Sequence, residues 1–175
     1  MAEGLEDAIQ RARKLEIDGA EFYTDLADKC SVPAGEQMFR SFAKDEKRHL
    51  QVVEDVSEGL GVEVADLPMP RDEIRTLFAE KRETVEEPVE VSSDEQEAIR
   101  MAMEMESQSY SLYRESAARA EDEETRQLFE RLSREENQHY EMLENTLEYL
   151  SSNAQWFLWK EWALIVGDQS SLGTG

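Results

Sequence analysis

Residues 39–53 read F-R-S-F-A-K-D-E-K-R-H-L-Q-V-V, and residues 129–143 read F-E-R-L-S-R-E-E-N-Q-H-Y-E-M-L. On a helix turning 100° per residue, with Glu46 set at the origin, Phe39 falls at ~20°, Phe42 at ~320°, His49 at ~300° and Val53 at ~340°. Glu46 and His49 therefore lie inside an apolar stripe rather than on a wet face. Phe129, Leu132, Glu136, His139 and Leu143 repeat the arrangement 90 residues later. His49 and His139 are the two histidines of the chain, and both close a Glu-x-x-His pattern.

The repeat extends outward from this pair. Ala8 maps onto Ala98, Ala12 onto Ala102, Glu16 onto Glu106, Tyr23 onto Tyr113 and Ala27 onto Ala117, all at the same 90-residue shift. The chain thus reads as two helical hairpins of one design. Helical periodicity predicts helices from about Leu5 to Lys29, Pro33 to Leu60, Ser92 to Ala120, and from the acidic turn Glu121–Glu124 to Leu150. Pro33 suits a first helical turn, Gly59 and Gly61 suit a stop, and Ser92 with Glu95, or Ser93 with Gln96, offers a capping box. Residues 62–92 hold Pro68, Pro70 and Pro88 around a short helical stretch near Asp72–Arg82. A connection of that length can carry the chain back along a helix of ~42 Å, so the third helix should run parallel to the second. The expected architecture is all-α: a four-helix bundle over residues 1–152 with a crossover at 62–92. A Trp-rich helix near Asn153–Ile165 and a loose tail should fill 153–175.

Heights within the hairpins agree. Glu16 and Glu46 each lie 15 residues from position 31, and Glu106 and Glu136 each lie 15 residues from position 121. In antiparallel hairpins both pairs are level, ~22 Å from their turns. About a two-fold axis, four carboxylates and two imidazoles then converge inside the bundle. Each ionised carboxylate taken from water costs several kcal/mol, and like charges add to that, so the groups must either protonate or bind cations. One Glu from each of two helices with Glu-x-x-His from each of the other two is the donor set of dinuclear carboxylate centres. Oxygen-rich ligation with one imidazole per metal suits two iron ions, with manganese and zinc as the alternatives.

Composition narrows the partners. The 175 residues carry 19 Lys and Arg against 41 Asp and Glu, a formal charge of −22. Such a balance argues against nucleic acid or an anionic membrane surface and favours cations. One cysteine, Cys30, cannot build a disulfide framework, a zinc ribbon or a four-thiolate iron site. The polar start MAEGLEDAIQ and the lack of an 18-residue apolar run predict neither a signal peptide nor a membrane span, so the expected compartment is the cytoplasm.

The segments A-x7-E-I-D-G-A-E-F-Y with E-K-R-H, and A-x7-E-S-Q-S-Y-S-L-Y with E-N-Q-H, resemble the ferritin-like superfamily, specifically rubrerythrin-like di-iron proteins, over about residues 5–150. The resemblance implies terminal ligands at Glu16 and Glu106, bridging carboxylates at Glu46 and Glu136, and one metal on each of His49 and His139. It also implies oxidation of Fe(II) with O2 or H2O2. Two departures qualify it. The four-cysteine rubredoxin domain of rubrerythrins is missing from this sequence, so peroxidase chemistry would need an external electron donor. Rubrerythrins also have an extra Glu three residues before the third-helix ligand, where this chain has Met103; Glu104 lies about 100° round the helix and should be exposed. The site is then expected to resemble the symmetric six-ligand site of bacterioferritin, which favours Fe(II) oxidation. A non-enzymatic metal-binding or interaction module and a di-iron oxygenase acting on an organic substrate are the alternatives.

Tyr23 and Tyr113 lie about 10 Å of rise beyond Glu16 and Glu106 on the same faces. They are candidates for hydrogen-bonding the ligands or donating an electron, against the plainer reading of core tyrosines with satisfied hydroxyls. Met101, Met103 and Met105 alternate round a helix and read as packing residues, and Cys30 as a free thiol near a turn. Trp156, Phe157, Trp159 and Trp162 form a segment expected to pack or to mediate a homodimer.

Overall fold

The computed structural model of the chain describes residues 2–59, 69–81, 87–158 and 161–167. Within them the helices are α1 (Ala2–Lys29), α2 (Pro33–Ser57), α3 (Pro70–Lys81), α4 (Ser93–Arg119), α5 (Glu123–Asn153) and α6 (Trp162–Ile165). No strand forms among the described residues, and none of their helices is long and apolar enough to cross a membrane. The all-α helical bundle expected from the repeat is what the chain adopts.

Local chemistry sets the helix ends. Pro33 occupies the first turn of α2, where its missing N–H leaves no bond unmade. Helix α2 gives way at Gly59, whose φ of 69° is left-handed and suits a residue without a Cβ. Ser92 and Glu95 form the capping box of α4: the Glu95 N–H donates to Ser92 Oγ at 3.2 Å, and the Ser92 N–H to Glu95 Oε2 at 2.8 Å. Asp122 caps α5 by accepting the Thr125 N–H at 2.8 Å.

Helices α1 and α2 form one antiparallel hairpin and α4 and α5 the other. The Tyr23 hydroxyl meets Glu106 and the Tyr113 hydroxyl meets Glu16, so α1 and α4 run antiparallel. Since α1 also opposes α2, helix α4 runs parallel to α2, as the long connection requires. The connection itself is described at α3, which packs on α2, α5 and α6, while residues 60–68 and 82–86 lie outside the described residues.

Two apolar clusters fill the bundle, one at each end. The first gathers Tyr23, Met38, Phe39, Phe42, Ile74, Ile99, Met142, Leu143, Leu150, Trp156 and Phe157. The second gathers Ala8, Ile9, Val52, Val53, Leu112, Tyr113, Phe129 and Leu132. Between them lies a layer of buried polar groups.

The Trp-rich segment departs from the single helix expected over Asn153–Ile165. Ala154 adopts φ 54°, ψ 20° and closes α5, and Gln155 then bridges to Glu90. The Trp156 N–H donates to the Val89 carbonyl at 2.9 Å, and the Val91 N–H to that of Ala154 at 3.1 Å. Trp156 and Phe157 both enter the first cluster, and helix returns at Trp162–Ile165. Tertiary burial of two neighbouring aromatics here outweighs the helical preference of the segment. The tail expected to be loose lies, from residue 168 on, outside the described residues.

Candidate metal centre

The polar layer holds Glu16, Glu46, His49, Glu106, Glu136 and His139, all buried. The six residues singled out in the sequence therefore do converge. They fall into two overlapping groups: Glu16, Glu46, His49 and Glu136, and Glu46, Glu106, Glu136 and His139. Within each group one ligand-type atom per residue lies within 4.8 Å of all the others. Glu46 and Glu136 belong to both groups.

Orientation is set from outside the layer. Each imidazole turns Nδ1 inward: His49 Nδ1 lies 2.9 Å from Glu136 Oε1, and His139 Nδ1 lies 3.2 Å from Glu46 Oε1. Each turns Nε2 outward to a carboxylate on the opposite hairpin. His49 Nε2 is 3.1 Å from Glu135 Oε2, and His139 Nε2 is 3.2 Å from Asp45 Oδ2. The tyrosines cross over in the same manner, Tyr23 donating to Glu106 Oε1 and Tyr113 to Glu16 Oε1. Their hydroxyls are thus bound to the candidate ligands rather than to unrelated core groups.

Charge is concentrated in this layer. Burial raises Glu136, His49 pulls it back, and Glu16 and Glu106 raise it again, to about 7. Burial, then the Glu136, Glu16 and Glu106 carboxylates, hold Glu46 well above its ordinary range. Burial also pushes Glu106 up, but the His139 charge and the Tyr23 hydroxyl outweigh it and leave this carboxyl lowered. For both histidines burial favours the neutral ring, yet the surrounding carboxylates prevail and raise them well above 6.5. Burial and then Glu106 for Tyr23, or Glu16 for Tyr113, raise the two phenols.

The residues fit a pair of cations. Glu16 Oε2, Glu46 Oε1, both carboxylate oxygens of Glu136, and Nδ1 of both histidines are buried without a hydrogen-bond partner. Buried polar atoms are nearly always satisfied, and here six orphans point into one space. Two divalent ions would neutralise the four glutamates and occupy those lone pairs.

Sequence reasoning missed Asp45 and Glu135, which are 2% and 0% exposed. Each immediately precedes a Glu of the layer, and they are repeat mates. The available signal was the acidic doublet before x-x-His, since a ligating imidazole needs a carboxylate on its other nitrogen. Met103 is half-buried beside the first apolar cluster, Glu104 is exposed as expected, and Met101 is 51% exposed, so the methionines form no common face. Cys30 is a free thiol that burial pushes up to about 11.

The family model described as Rubrerythrin matches residues 7–147. No curated protein and no solved structure matches the chain.

Proposed function

The chain belongs to the rubrerythrin family, and on that premise we propose that it is a non-haem di-iron oxidoreductase, oxidising Fe(II) with O2 or H2O2. The observation that carries the reading is the set of six orphaned ligand atoms, three from each hairpin, closed off by apolar clusters on either side.

Glu16 with His49, and Glu106 with His139, would each hold one metal, while Glu46 and Glu136, common to both groups, would bridge. Two iron ions, when bound, supply the electrons and the open positions at which the oxidant is reduced. Tyr113 holds Glu16 Oε1 and so leaves Oε2 as the donor facing inward. Tyr23 fixes Glu106 by donating to its Oε1. The Phe42 ring lies tilted 4.3 Å from the His139 ring, and Phe129 stacks 5.9 Å from Tyr113, so the layer has dry walls above and below. Before loading, Glu136 and the imidazoles hold protons that ligation must release. Peroxide turnover would further need a source of electrons beyond the candidate metal site.

Purified protein given Fe(II) in air should develop ferric charge-transfer absorption in the near ultraviolet and consume O2. Absorption and oxygen uptake no greater than in the Glu46→Ala, Glu136→Ala double variant would overturn the proposal.

A further inference from the structure

Contacts of the histidines and tyrosines come in pairs related by the 90-residue shift, but the arginines beside them do not: Arg48 is matched by Gln138 and Arg131 by Ser41. Asp45 and Glu135 are repeat mates and perform mirror duties, each accepting the outward nitrogen of the opposite hairpin's histidine. The cation between them is not duplicated. Arg48 Nη2 lies 3.0 Å from Asp45 Oδ1 and also donates to Glu135 Oε2. Its repeat mate is Gln138, whose side-chain oxygen instead accepts the Arg71 backbone N–H at 3.1 Å. Glu135 has a second guanidinium, Arg131, with Nε 2.6 Å from Oε1.

A continuous belt results: His139, Asp45, Arg48, Glu135, His49. It runs from one imidazole to the other round the outside of the layer and joins α2 to α5. Without the guanidinium, two buried carboxylates from different hairpins would share no cation, and Asp45 would be left with no arginine beside it. One guanidinium nitrogen, Nη2, serves both carboxylates at once and carries its charge at any physiological pH. The charges also balance. Arg48 and Arg131 offset Asp45 and Glu135, leaving the four glutamates for two divalent ions.

We propose that Arg48 is a positioning residue for both histidines, and that its loss weakens the His139 half of the metal site more than the His49 half. The inequality follows from the belt. Glu135 keeps Arg131 when Arg48 is removed, whereas Asp45 loses the arginine that pairs with it. Arg48 is 24% exposed; its Nη2 also lies 3.5 Å from His49 Nε2, on the outward side of that ring, and it touches none of the six inward atoms left unpartnered, so it acts on the site from outside the layer. The inference rests on the dinuclear reading of the site.

The test is a Co(II) titration of chelator-stripped full-length protein, followed by the visible absorption of the bound ion, with far-ultraviolet circular dichroism as a check on folding. His49→Ala and His139→Ala backgrounds isolate the two halves. Arg48→Met should weaken Co(II) about tenfold or more in the His49→Ala background, the lower end of what lost outer partners of a ligand cause. In the His139→Ala background the loss should stay below about threefold, because Glu135 is still held. Arg48→Lys should recover part of the loss, and Asp45→Asn should reproduce it in the His49→Ala background. Equal weakening of both halves, or none in either, would overturn the role of Arg48. If Arg48→Met does not fold, Arg48→Gln in the same backgrounds reads the same contrast. Failure of the wild-type chain to bind two Co(II) would instead overturn the dinuclear reading itself.

Discussion

Metal-free protein should become less stable as the pH rises from about 5 to about 7.5, because Glu136 holds its proton more tightly in the folded chain than in the unfolded one. Its pKa is raised from 4.5 to about 7. A carboxyl shifted this way contributes stability that is complete below its unfolded value and is lost as the pH climbs through its folded value. The separation is about 2.5 pH units, and at about 1.4 kcal/mol each the loss is roughly 3 kcal/mol. Glu46, raised by burial and then by its neighbouring carboxylates, acts in the same direction. So do His49 and His139, whose contributions are present below 6.5 and lost as pH rises through their folded values. Asp45, Glu106 and Glu135 are shifted down, burial being outweighed by hydrogen bonds and charge from His139 or His49, so their terms fall away on the acid side of this window. Urea unfolding of chelator-treated protein, at fixed moderate salt to screen the acidic surface, measures the slope. Glu136→Gln removes its share, so the variant should lose about 3 kcal/mol less than the wild type across the window. A wild-type stability that is flat or rising with pH, or a slope unchanged in Glu136→Gln, would refute the reasoning. Saturating divalent metal should reverse the trend, since ligation requires those protons to leave.

Tyr113→Phe leaves Glu16 Oε1 without its donor in a buried site, and should lower metal-free stability by about 1–3 kcal/mol by urea unfolding; an unchanged midpoint counts against that hydrogen bond. Gly19→Ala places a Cβ 3.1 Å from Glu46 Oε2. Helix propensity gains up to about 1 kcal/mol while the carboxylate is displaced, so metal-free stability should hold while Co(II) affinity falls roughly tenfold; equal affinity refutes the crowding. Gly35→Ala brings a Cβ to 2.8 Å from both Cys30 Sγ and the Trp156 ring, and should destabilise by about 1–3 kcal/mol with a red-shifted tryptophan emission; a neutral result means that the packing there gives way freely.

The bundle and the Glu/His layer were legible because two independent periods coincide in the sequence. The helical period puts Glu46 and His49 among Phe39, Phe42 and Val53, and the 90-residue period repeats the placement with no gap. Asp45, Glu135 and Arg48 were not legible in the same way. Asp45 lies about 100° round from Glu46, at the edge of the apolar stripe, where a single helix gives no sign of whether a charge meets water or a neighbour. Its partner, His139, sits on a helix 94 residues away, and only the arrangement of α2 against α5 decides that they meet. The end of α5 failed as a sequence reading for a related reason. Ala154 carries no local stop signal, and its left-handed backbone follows from Trp156 and Phe157 entering the core while Gln155 bridges to Glu90.

The duplication also shows where the two halves have ceased to be equivalent. Every candidate ligand has an identical mate, and so do both tyrosines, because a two-metal layer constrains both hairpins alike. The breaks lie one shell further out. Arg48 faces Gln138, Gly19 faces Ser109, and Gly35 faces Thr125 across the repeat. Gly19 gives room to Glu46, Gly35 gives room to Cys30 and Trp156, and Arg48 ties the two hairpins together. Each break serves a contact that exists once in the folded chain. A duplicated hairpin cannot supply such contacts by symmetry. Inequality between the two metal positions is then expected from unmatched residues of this kind, with Arg131, whose repeat mate is Ser41, holding Glu135 alone and Arg48 reaching the carboxylates behind both histidines.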